Sequence, residues 1–213
     1  MARHPVFVLV FATAMEAAPL LQRLNARTER LLPFAVYRAQ CGANDKLLIL
    51  ITGMGLQAAR QAMHYMMTHY APTHIVNLGI AGSLSRDCAL GDIVQVTETG
   101  VVRAGDDAIR ITWTTLSAHA DKAPVRLLSV NEPVFDNTQK QKLAPYAQLV
   151  DMEGAAIAAF CQQHALSCRI FKIVSDDAEN RQLLLNNLTR LSGQLAAYFH
   201  LRITHFLSPK VFT

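Results

Sequence analysis

Two acidic stretches and two glycine turns carry residue types and spacings that can do chemistry. Asp151-Met152-Glu153 sets two carboxylates directly ahead of a helix-forming run that begins Gly154-Ala155-Ala156. Negative charge is favoured at a helix start by the free amides and the macrodipole. A carboxylate there has a second use, because its two oxygens can accept paired hydrogen bonds from a sugar diol, and Glu153 suits that role. Ser175-Asp176-Asp177 closes an apolar run that starts near Arg169. At the end of a buried strand Asp176 is partly desolvated, which favours its protonated form and makes it a candidate general acid. Plain structural readings stand beside both: helix capping accounts for one of the carboxylates at 151 and 153, and an Asx cap at a solvated turn accounts for 175–177. The turns Thr52-Gly53-Met54-Gly55 and Gly79-Ile80-Ala81-Gly82-Ser83 let backbone amides approach a ligand closely. Neither matches the dinucleotide or phosphate-loop fingerprint, and each also reads as a tight turn.

Other chemistries find less support. His64 and His69, like His200 and His205, are five apart and do not share a helical face, while His119 and His164 stand alone, so no metal is assigned. Cys41, Cys88, Cys161 and Cys168 form no CxxC pair and read as reduced, mostly buried thiols. A serine hydrolase lacks its elbow, since Gly82-Ser83 has no second glycine two residues on.

The elements that must position these residues follow an α/β pattern. Continuous apolar runs at Val6–Ala12, Leu47–Thr52, Ile75–Gly79, Ile93–Thr97, Val125–Val130 and Arg169–Ser175 suit strands covered on both faces. Longer patterns predict helices at Glu16–Arg27, Gln57–Tyr70, Asn137–Ala144, Glu153–His164 and Asn180–Phe206. The polar stretch Gly100–Lys122 reads least clearly, with a hairpin around Ile109–Thr115. No repeat or linker divides the chain, so residues 1–213 read as one domain. Ligands of open α/β sheets sit outside the carboxyl ends of the strands. Four such ends, at Thr13–Glu16, Thr52–Gly55, Gly79–Ser83 and Ser175–Asp177, carry the candidate residues, which favours a small-molecule site.

Composition bounds the partners. The 213 residues are 51% hydrophobic and 17% charged, which excludes disorder as the main theme. The net charge is only +4 with dispersed basic residues, a poor match for nucleic acid. The apolar stretch Val6–Ala14 is shorter than the roughly 20 residues of a membrane span and lacks a cleavage site, so a cytoplasmic protein without membrane attachment is expected.

In order and spacing, Ala14-Met15-Glu16, Thr52-Gly53-Met54-Gly55, Asn77-Leu78-Gly79-Ile80-Ala81-Gly82, Gly91-Asp92-Ile93-Val94, Asp151-Met152-Glu153 and Ser175-Asp176 resemble the nucleoside phosphorylase/nucleosidase superfamily. The likeness covers about Val6–Thr99 and Val125–Ala178. It is closest to the hydrolytic branch that contains methylthioadenosine/S-adenosylhomocysteine nucleosidase and futalosine hydrolase. The resemblance implies a mixed, partly closed β-sheet surrounded by helices in three α/β/α layers, and cleavage of the N-glycosidic bond of a purine nucleoside without a cofactor. It implies that Asp176, beside Ser175, protonates the departing base at N7. Glu153, after Asp151, would bind the ribose hydroxyls with Met152 beneath the sugar, and Ile80, Ala81 and Gly82 would lie beside the base. Phe135 would stand in for an aromatic that stacks on the base. A homodimer or higher homo-oligomer is also implied; the apolar, Met-rich helix Gln57–Tyr70 suits an interface, and ordinary core packing explains it as well.

Departures from the pattern shape the expectation. The resemblance aligns Ala18, in Met15-Glu16-Ala17-Ala18, with the glutamate that activates water. Glu16 is the remaining carboxylate, but two residues earlier is about 200° around an ideal helix. It takes the role only where the local geometry turns it inward. Phosphorolysis would dispense with that base. Yet Asn77 and Ile80 stand where phosphorylases place arginine and a hydroxyl residue, leaving Arg23, Arg60 or Arg86 to supply charge for phosphate. The expected activity is therefore a purine-nucleoside N-ribosyl hydrolase. A phosphorylase and a catalytically weakened nucleoside-binding protein are the alternatives.

Overall fold

The computed structural model describes residues 6–41, 45–103, 109–116, 124–178 and 181–203. In chain order these form β1 (Val6–Phe11), α1 (Ala14–Arg23), β2 (Arg27–Arg30), β3 (Ala35–Cys41), β4 (Asp45–Ile51), α2 (Leu56–Tyr70), β5 (His74–Ser83), β6 (Ile93–Val96), β7 (Glu98–Arg103), β8 (Arg110–Thr115), β9 (Arg126–Ser129), α3 (Asn137–Leu143), β10 (Leu149–Asp151), α4 (Gly154–Gln163), β11 (Ser167–Asp176) and α5 (Arg181–Leu201). The runs that are apolar at every position become central strands because helices cover both of their faces. Phe7, Leu9 and Phe11 of β1 meet Leu195 and Phe199 of α5 on one side. Val8 and Val10 meet Met63 and Met66 of α2 and Phe160 of α4 on the other. Met63 and Met66 are thus fully buried in this core, as ordinary core packing of the helix predicts.

The described strands join one mixed sheet in the order β2-β3-β4-β1-β5-β10-β9-β7-β8, and β11 pairs with β5 and β6. The branch is at β5, whose first half runs parallel to β1 while its last residues, Gly82 and Ser83, pair antiparallel with β10. Its other edge runs parallel to β11 along nearly its whole length. This three-way pairing makes the sheet mixed and partly closed, and it gathers the ends of β1, β5, β10 and β11 into one region.

Several boundaries differ from the sequence expectation. The first helix stops at Arg23 rather than Arg27, because Asn25 adopts φ 47° and Arg27 already opens β2. Strand β2 is exposed at all four positions and so has no hydrophobic pattern to betray it. The expected hairpin pairs β8 with β7, a strand that the polar stretch concealed. Gly105-Asp106-Asp107, Asn180, His119 and His205 lie outside the described residues. Cys88 and Cys161 are buried free thiols and Cys168 is half-buried. His164 does not stand alone: its ring lies 4.2 Å from that of Phe160 and 6.1 Å from that of His64. No described helix is long and apolar enough to cross a membrane.

Candidate active site

The two carboxylates at the start of α4 divide the work between them. Asp151, at the end of β10, accepts the Gly154 amide on Oδ2 at 2.9 Å and the Glu153 amide on Oδ1 at 3.3 Å. It also accepts the Ser129 hydroxyl, and Ser129 Oγ accepts the Ala155 amide at 2.8 Å. Capping is therefore the task of Asp151. Glu153, although it is the N-cap residue, makes no side-chain cap bond. Its carboxylate instead crosses to the turn before α2 and accepts the Gly55 amide on Oε1 at 2.7 Å. Gly55 offers that amide from φ 97°, a left-handed conformation that side-chain-bearing residues avoid.

Burial pushes the Glu153 carboxyl up to about 7, and neighbouring Asp151 adds to the rise, while Lys172 and the Gly55 amide oppose it. Lys172 is the residue that motif reasoning passed over. It lies mid-way along β11, 2% exposed, with Nζ 2.8 Å from Asp151 Oδ2. Burial works against the ammonium, but Asp151, then Glu153 and Glu16, outweigh it and hold its pKa above the usual lysine value. A signal was present in the sequence. A lone lysine inside the apolar run Ile170-Phe171-Lys172-Ile173-Val174 can be buried charged only against a carboxylate.

Glu16 is turned inward, contrary to the ideal-helix argument, and Ala18 lies on the exposed face of α1. The reason is a capping box. Glu16 is the third residue of α1, so its side chain folds back over the helix start and accepts the Thr13 amide and hydroxyl on Oε2, each at 2.9 Å. The wheel angle does not fix the direction of a side chain that runs back along the axis. Oε1 then reaches the Ile80 amide at 3.2 Å. Beneath it is Gly79, where a Cβ would stand 3.3 Å from both Glu16 Oε1 and Lys172 Nζ. A side chain there would press on both groups, so the bare glycine lets a carboxylate and an ammonium converge on the strand.

Asp176 ends β11 at a register shift, where Val174 pairs with Ala81 and Asp176 with the next residue, Gly82. Such a shift re-aims a side chain. Asp176 Oδ1 accepts the Ala178 amide at 2.7 Å, and Oδ2 lies 2.6 Å from Ser175 Oγ, which is itself 3.2 Å from the Ala81 carbonyl. Ser175 has one proton and serves one of those two acceptors at a time. Burial raises the Asp176 pKa, chiefly against the Ser175 and Ala178 hydrogen bonds. An open cavity of about 640 Å³ adjoins Asp176 and Ser83.

The sequence candidates thus separate. Glu16, Ile80, Asp151 and Glu153 surround Lys172 and Gly79, and Ala81, Gly82, Ser175 and Asp176 lie along the adjoining strand ends. Met152 is half-buried between the two carboxylates. Phe135 is half-buried in the β9–α3 loop, ahead of the α3 residues that line the cavity. Among the arginines considered for phosphate, Arg23 is exposed in the last turn of α1, far along that helix from Glu16, and Arg60 is exposed on α2. Arg86 lines the cavity beside Asp176. Asn77 is buried with Nδ2 donating to the Val10 carbonyl at 3.0 Å.

The sheet, its branch at β5 and the carboxylates at its strand ends define a member of a known class. The sequence profile of the phosphorylase superfamily matches residues 6–200, and the chain belongs to that superfamily. Among its relatives is the 5'-methylthioadenosine/S-adenosylhomocysteine nucleosidase of Shewanella pealeana, 27% identical over 81% of this chain and 86% of the relative. The structure resembles that of the Helicobacter pylori 5'-methylthioadenosine/S-adenosylhomocysteine nucleosidase with butyl-thio-DADMe-Immucillin-A. That match has TM-score 0.85 and 17% identity over 96% of this chain and 100% of the other. It equally resembles the futalosine hydrolase of Helicobacter pylori, with TM-score 0.85 and 16% identity over 94% and 98% of the two chains. At these identities the solved structures establish the shared α/β fold.

Proposed function

We propose that this protein is a purine-nucleoside N-ribosyl hydrolase, releasing free base and a ribose derivative by attack of water at C1'. The nucleosidase names of its relatives support the reaction class. The observation that carries the reading is the convergence of Glu16 Oε1 and Lys172 Nζ over Gly79, close to Glu153. A water there donates to Glu16 and accepts from Lys172. As the C1'–N9 bond breaks, Glu16 takes the water's proton, the new C1'–O bond forms, and Asp176 places its own proton on N7 of the base. A departing purine anion is poor, so that proton lowers the barrier, typically by 10²–10⁴. Protonated Asp176 donates from Oδ2 to Ser175, which donates to the Ala81 carbonyl, until N7 displaces that bond. Glu153 holds the ribose diol against Met152, and Asp151 acts by positioning Glu153 and Lys172.

Glu16 also discriminates between nucleophiles. A phosphate dianion beside a carboxylate is repelled, whereas water is activated by it. A carboxylate at the nucleophile position also favours hydrolysis over the binding-protein alternative. Met15 and Met54, both well exposed beside Glu16 and Gly55, give the site an apolar rim suited to cover by a second copy of the chain. Incubation with methylthioadenosine, adenosine, inosine and futalosine, with and without phosphate, tests the reaction by chromatographic detection of free base. Release without phosphate is expected. Strict dependence on phosphate would establish phosphorolysis, and binding without release would establish a binding protein.

A further inference from the structure

We propose that the cavity beside Asp176 is a subsite for an anionic substituent on the base, so that the preferred substrates are purine nucleosides carrying a carboxylate on the exocyclic group at position 6. This rests on the nucleosidase reading and deepens it. In a purine, N7 and the position-6 substituent project from the same edge. A base with N7 on Asp176 therefore directs that substituent past Asp176, into the cavity that Asp176 and Ser83 help to enclose. Its volume of about 640 Å³ lies within the roughly 300–1,000 Å³ of small-molecule pockets. A purine base, comparable to four or five waters of roughly 30 Å³ each, leaves most of it empty.

The walls say what would fill the remainder. Arg86, from the β5–β6 loop, and Lys140, from α3, approach from two different elements. Lys140 is near enough to Asp176 to oppose the rise in its pKa. Asn137 and Gln141 add amide donors, and Leu84 and Ala144 offer apolar surface for a short spacer. Asp177 is the opposing charge in the same wall. With Asp176 protonated for catalysis, the described lining carries two cations, Arg86 and Lys140, against the one carboxylate of Asp177, an excess that a substrate carboxylate complements. These cations line the cavity beside Asp176, whereas the proposed nucleophile position lies between Glu16 and Lys172.

The test compares N6-(2-carboxyethyl)adenosine with its neutral isostere N6-(2-carbamoylethyl)adenosine, which differ in charge but hardly in size. The kcat/KM ratio of acid to amide is expected to be roughly tenfold at low salt, a few-fold for each partly exposed pair, and to shrink as salt screens it. In the double variant Arg86→Gln/Lys140→Gln the ratio should fall to about one, and Arg86→Glu should invert it. Calorimetric binding of the two corresponding free bases gives a second readout independent of turnover. A wild-type ratio of one or less, or a ratio unchanged in the double variant, overturns the subsite while leaving the hydrolase standing. Preferential binding of the acid base, lost in the double variant, with neither these nucleosides nor the four unsubstituted ones cleaved, would sustain the subsite and overturn the hydrolase. Absence of binding and of all cleavage overturns both.

Discussion

Glu153→Gln isolates one buried carboxylate and makes a signed prediction about stability. The Glu153 carboxyl rises from 4.5 to about 7 in the folded protein, chiefly through burial. Because the folded value lies above the unfolded one, the contribution is fully present below pH 4.5. It is lost as pH rises through about 7, since the unfolded chain ionises freely while the folded one resists. The full loss corresponds to about 3 kcal/mol. Glutamine cannot ionise, yet its Oε1 can still accept the Gly55 amide, so the variant removes the pH dependence with little change in packing. Urea denaturation of both proteins at half-unit steps from pH 4.5 to 8, without ligand, should show the variant gaining on wild type by about 3 kcal/mol across that window. Near 2–4 °C per kcal/mol for a chain of this size, the midpoint of thermal unfolding should separate by roughly 6–12 °C. Parallel curves, or a gap that narrows toward pH 8, would show that Glu153 is ionised in the folded protein at ordinary carboxylate pH.

Four substitutions test the remaining assignments. Asp176→Asn should lower kcat by about 10²–10⁴ while nucleoside binding, read by calorimetry, stays within a few-fold. Glu16→Gln should lower kcat by a similar factor, whereas Ala18→Glu, on the exposed face of α1, should leave kcat within twofold. Lys172→Met strands Asp151 without its buried cation and should destabilise the fold by about 3–5 kcal/mol in urea denaturation; a loss under 1 kcal/mol would refute the weight given to this buried pair.

Much of this molecule was legible along the chain. The apolar runs located the central strands because a strand covered on both faces must be apolar at every position. The four acidic or glycine-rich strand ends marked the site because turns and helix starts have local chemical requirements. Strands β2 and β10 were not legible, the one being fully exposed and the other only three residues long. Their pairing partners, not their composition, make them strands.

What only the tertiary structure decided are the relations between distant residues. Asp151 and Glu153 carry the same charge two residues apart, and neither reveals which one caps α4; Ser129 and Gly55, brought in from other elements, divide the two tasks. Lys172 becomes part of the site because β11 lies against β5, which sets Lys172 opposite Gly79. Glu16 faces inward because Thr13 folds its side chain back over the helix start, where helical periodicity no longer governs direction. Residue types thus determined which chemistry was available, through charge, proton affinity and backbone freedom. Burial and cross-element hydrogen bonds decided which groups could use it, because the energies that tune a carboxylate depend on neighbours remote in sequence.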